Sequence, residues 1–107
     1  MSEKKYSGDR LEKSRKFFLE PKIEISKDFA IKRLQEGNMS DFLHSVVAID
    51  SAIEHHIINN CAKAENENIR IKCVNEAINI KIRVINRLSE ELVEKCGGEM
   101  IYSEEEK

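Results

Sequence analysis

The chain has 107 residues, a formal net charge of −2, 36% charged residues, no tryptophan, four glycines and one proline. That length suits one domain with a modest core, and so few turn formers exclude a fold made of many short strands. The opening MSEKKYSGDR carries no apolar leader, no apolar run approaches membrane-spanning length, and the expected location is cytoplasmic.

Residues 1–8 are polar and are expected to be flexible. A short helix is predicted from about Asp9 to Leu19, ended by Pro21, with residues 22–25 as an extended connector. Ser26 then offers an N-cap with Ile25 at the staple position, and Gly37 a C-terminal cap, so a second helix covers roughly 27–36 and presents Phe29, Ile31 and Leu34. Ser40 is the expected cap of a third helix over 41–62, with Asp41 at its positive end. On that helix Phe42, Leu43, Val46, Ile49, Ile53, Ile57 and Cys61 share a face. The stretch 62–68 breaks the period and reads as a connection.

A fourth helix is predicted over about 68–95, ended by Gly97-Gly98 and followed by an acidic flexible tail over 98–107. It is apolar on two sides: Ile71, Val74, Ile78, Ile82, Ile85, Leu92 and Cys96 on one, and a narrower strip of Cys73, Ala77, Ile80 and Val84 roughly opposite. A helix apolar on two sides must be packed on two sides. Alternation over 68–85 also admits a strand pair, but Asn75-Glu76-Ala77 is poor turn chemistry and the helical period continues on both flanks. The expected architecture for residues 9–97 is therefore all-α: a long antiparallel helical hairpin with two short N-terminal helices. Its arms measure roughly 33 and 40 Å at ~1.5 Å per residue. Self-association through Ile80, Val84 and their apolar neighbours would complete a dimeric helical bundle.

No catalytic constellation is evident. Asp50 falls within the apolar face of the third helix, and Asn75 near that of the fourth, which makes the two a candidate buried polar site. The alternative for Asp50 is the edge of the stripe, paired with Lys81 or Arg33. Lys72, Arg83 and Arg87 on the fourth helix are the candidate nucleic-acid contacts, although no aromatic residues interleave them. His44 and His55 share a face but lie about three helical turns apart, roughly 16 Å, too far to hold one ion, and His55 and His56 point in different directions. Cys61, Cys73 and Cys96 lack CxxC spacing and read as small apolar residues in a reducing compartment. No metal, cofactor or membrane partner is expected.

The stretch Asp28 to Asn59 resembles the first helical hairpin of HEPN-type domains, small helical proteins of prokaryotic toxin–antitoxin and defence systems. Gly37-Asn38 matches the turn of that hairpin, Ala48 and Ala52 its small positions, and Asp50 its central acidic residue. Ribonucleolytic members of the family carry an Arg followed four to six residues later by His. This sequence has no histidine after His56, so Arg70, Arg83 and Arg87 lack that mate. The resemblance thus implies a non-cleaving, dimeric member used for contact, or an RNA-associated protein. From the residues themselves, the leading expectation is a non-catalytic interaction, scaffold or regulatory module.

Overall fold

The computed structural model describes residues 5–95. Helix α1 (Gly8–Ser14) runs through a π-helical turn (Arg15–Leu19) into α2 (Glu20–Gln35). Helix α3 (Met39–Asn59), a 3₁₀ turn (Cys61–Lys63) and α4 (Glu67–Lys95) follow. Among the described residues there is no named strand, and the chain is all-α.

The break expected at Pro21 does not form, and neither does the connector over 22–25. Proline brings no N–H, and its ring crowds the carbonyl one turn back. The π turn just before it absorbs the misfit, with the Glu20 N–H reaching back to the Arg15 carbonyl. Pro21 then opens α2, where a missing donor costs least, and Ser26 lies inside the helix rather than capping it. The two predicted short helices are one continuous rod.

Gly37 ends α2 as expected. Its φ of +83° lets its own N–H reach the Leu34 carbonyl and the Asn38 N–H reach that of Arg33, at 3.0 and 2.8 Å. The cap of α3 is Asn38, two residues before the predicted Ser40. Its Oδ1 accepts from the Asp41 N–H at 2.9 Å, and Arg33 holds Asp41 from α2 at 2.7 Å. Asn66 caps α4 in the same way through the Ile69 N–H. Residues 68–85 lie within one helix, not a strand pair.

Tyr6 is not frayed. Its N–H donates to the Lys63 carbonyl and its carbonyl accepts from the Glu65 N–H, both at 2.8 Å, which stitches the chain onto the α3–α4 connection. Arg10 lies over its ring.

The main core is built from Leu19, Ile23, Ala30 and Leu34 on the first rod, Phe42, Ile49 and Ile53 on α3, and Ala77, Ile80, Val84 and Leu88 on α4. The narrower strip of α4 is therefore the inward one. Ile80 and Val84, assigned to self-association, are each 4% exposed within the chain's own core. Fully buried Ala77 has no side chain beyond Cβ, so α4 can approach both other rods closely there. Of the wider strip, Ile71, Ile78 and Ile82 are exposed, whereas Val74 and Ile85 are half-buried and Leu92 packs against the edge of the main core. Leu43 and Phe29, expected in the core, are exposed too.

Candidate functional site

The predicted polar pair does not form a buried site. Asp50 is exposed and ion-paired with Lys81 across α3 and α4, at the edge of the stripe, and Asn75 is exposed. An exposed pair of this kind stabilises little. Lys72, Arg83 and Arg87 are all exposed on α4, but Arg87 is engaged by Glu91 through Nε and Nη2 at 3.1 and 2.8 Å. His44 and His55 are exposed, whereas His56 is buried.

The structure brings together three residues that the sequence reading kept apart. Cys61 and Cys73 form a disulfide with their Cα atoms 5.5 Å apart, tying the 3₁₀ turn to the second turn of α4. This corrects their reading as small apolar fillers. His56, in the last turn of α3, sets its Nε2 3.7 Å from Cys73 Sγ. The ligand atoms of His56, Cys61 and Cys73 all lie within 4.8 Å of one another, and all three residues are buried. The available signal was positional: His56 precedes Cys61 by five residues across a helix end, and Cys73 follows by twelve, on the inward strip of the next helix. Cys96 lies outside the described residues.

Each ring nitrogen of His56 has a neighbour. Asn60 Nδ2 lies 3.4 Å from Nδ1, so in the neutral ring Nδ1 accepts while Nε2–H points at the disulfide sulfur. Burial pushes the His56 pKa down, and the nearby Arg15 guanidinium pushes it in the same direction. Arg15 is itself largely buried and held between Glu20 and Glu76.

A cleft of about 330 Å³ opens beside the cluster between α1 and α4. His56 and Cys73 form part of its wall, with Glu12, Arg15, Lys72 and Glu76 around them. A solute entering the cleft meets one sulfur, one imidazole and charges of both signs. Such a site supports thiol–disulfide exchange or soft-metal ligation, the two chemistries open to paired cysteines beside an imidazole.

A second feature lies on the outer side of α3 and α4. Asp50, Glu54 and Ile57 of α3 line a shallow groove of about 340 Å³ with Ile78 and Lys81 of α4. Leu43 and Val47 continue the α3 edge at helical spacing from Asp50 and Glu54, and Ile71 and Ile82 continue the α4 edge. All four are exposed. Comparison with protein-family models, with curated proteins and with solved structures gives no match.

Proposed function

We propose that this protein is a non-catalytic helical interaction module that pairs with a second copy of itself through the outer face of α3 and α4. The observation that carries this reading is the set of exposed apolar side chains there: Leu43 and Val47 on one helix, Ile71, Ile78 and Ile82 on the other. Exposed apolar side chains on two neighbouring helices, with Asp50, Glu54 and Lys81 supplying charge beside Ile78, suit an association site. In this reading α3 and α4 are the arms of a long antiparallel hairpin, and two hairpins stack as a four-helix bundle. A face about 31 Å long and two helices (~20 Å) wide offers on the order of 600 Å² in projection. That approaches the ~800 Å² per partner of an ordinary stable interface. The interface thus moves from the Ile80 and Val84 strip to the opposite one. A HEPN-like module used for contact rather than cleavage is compatible with the same proposal.

Sedimentation equilibrium on the wild type and on Ile78→Glu/Ile82→Glu tests it. The wild type should be dimeric at micromolar concentration and the double variant monomeric, with unchanged helical circular dichroism. Ile25→Glu/Phe29→Ala, which alters the exposed apolar residues of α2 instead, should leave the dimer intact. A monomeric wild type, or a dimer lost only with the α2 variant, would overturn the proposal.

A further inference from the structure

We infer that His56, Cys61 and Cys73 form a redox-gated zinc site: closed while the disulfide stands, and available when it is reduced. Three observations converge on this. Two sulfurs and an imidazole nitrogen, the donor types that zinc takes in protein sites, lie within 4.8 Å of one another. They come from three successive segments, the end of α3, the 3₁₀ turn and the second turn of α4, so the fold rather than a flexible loop gathers them. Two of the three, His56 and Cys73, also line the cleft. Three protein donors with a fourth position open to solvent is the arrangement of a reactive zinc centre rather than a closed structural one.

The electrostatics suit this ion. Two thiolates and a neutral imidazole balance Zn²⁺, so no net charge is buried. Of the two cations in the cleft wall, the Arg15 guanidinium is paired with Glu20 and Glu76, which offsets its charge, and Lys72 is exposed to solvent that screens it. Asn60 acts as a positioning residue. Metal at Nε2 requires the proton on Nδ1, and rotating the Asn60 amide would place its oxygen to accept that proton, the usual outer-shell support of a histidine ligand.

The redox step balances with a low-molecular-weight thiol as reductant. Two such thiols reduce the Cys61–Cys73 disulfide to two cysteine thiols and leave as their own disulfide. Zinc then displaces two protons, one from each thiol, as the two Zn–S bonds form. Oxidation by a small disulfide runs the sequence backwards: the cysteine disulfide re-forms, the oxidant takes up two protons to become two thiols, and Zn²⁺ is released.

The test uses the full chain carrying Cys96→Ser, so that the remaining cysteine supplies no ligand. After reduction and anaerobic desalting, the protein is titrated with Zn²⁺ against a chromophoric chelator, and separately with Co²⁺ to read the thiolate-to-cobalt charge-transfer band. One ion should bind per chain in the reduced protein and none in the oxidised protein, with two protons released per zinc. Cys73→Ser and His56→Gln should each weaken binding at least about tenfold, and Asn60→Ala about 10–100-fold, the range for an outer-shell partner. Circular dichroism follows each variant, so that a reduced chain that has lost helix is scored by whether zinc restores it. A reduced chain that neither binds zinc nor regains helix with it overturns the inference, as does binding indifferent to His56 and Cys73. Zinc binding by the oxidised protein, which in this variant holds no thiol, as tight as in the reduced protein would place the metal elsewhere and overturn it equally. Because the outer face of α3 and α4 is untouched, the dimer of the preceding section stands or falls separately.

Discussion

Ile80 and Ile82 are two residues apart on α4, chemically identical, and predicted here to differ by several-fold in what they contribute to stability. Ile80 is 4% exposed and packs in the main core; Ile82 is 52% exposed on the outer strip. Truncating a buried isoleucine to alanine removes its transfer free energy and leaves a cavity, together about 2–5 kcal/mol, and a central value near 3 suits a position bounded by Ala77 and Val84. At Ile82 roughly half of the transfer term is at stake, no cavity forms, and alanine gains a few tenths of a kcal/mol in helix propensity. The net cost there should be under about 1 kcal/mol. In a domain of this size ~3 kcal/mol lowers Tm by roughly 12–24 °C. Urea unfolding followed by circular dichroism reads both variants, at protein concentrations below any dimer dissociation so that an interface term does not enter. Equal losses would refute this assignment of the two strips, and a larger loss at Ile82 would restore the wider strip to the core.

Further outcomes follow from the same geometry. Cys61→Ala/Cys73→Ala, or reduction of the wild type without metal, should cost about 3 kcal/mol. The bond closes a loop across a separation of 12 residues, and loop-closure entropy sets that scale; an unchanged urea midpoint on reduction would contradict it. In the oxidised protein the His56 pKa is depressed by burial from 6.5. Between the folded value and 6.5 the unfolded chain therefore holds the extra proton, and stability rises with pH. This contribution is complete above 6.5 and is lost as pH falls below it, with a slope of at most about 1.4 kcal/mol per pH unit. His56→Gln should flatten that part of the stability profile, and an undiminished slope would argue against a buried neutral imidazole. Asn38→Ala should cost about 1 kcal/mol, and Ser40→Ala close to nothing, since Asn38 holds the cap; thermal melts that reverse this order would return the cap to Ser40. Asp50→Asn should change stability by under about 1 kcal/mol, because its ion pair with Lys81 is exposed, and a large loss would mean a buried role.

Local chemistry was legible where a residue acts through its own backbone or through neighbours a few positions away. The all-α class follows from the 3.6-residue apolar period and the shortage of turn formers, and Gly37 announces the end of α2 because its left-handed backbone favours glycine. Other signals were local yet misread. Pro21 usually stops a helix, but a π turn widened the rod enough to carry it through. Asn38 and Ser40 are both good caps, and the choice between them rests on backbone geometry and on Arg33 reaching across from α2 to Asp41.

What the tertiary structure alone decided was which surface faces inward and which distant residues meet. Hydrophobic period identifies two apolar strips on α4 but not their ranking, since burial depends on how closely two other rods can approach. Ala77 made the narrower strip the better fit. The same choice turned Cys73 inward toward Cys61 and His56 and left Asp50 outside with Lys81. The sequence by itself determined the helices, because their hydrogen bonds and caps close within a few residues. The candidate site and the outer face were decided only when those helices packed, because side-chain encounters across 12 to 61 positions depend on the arrangement of whole rods.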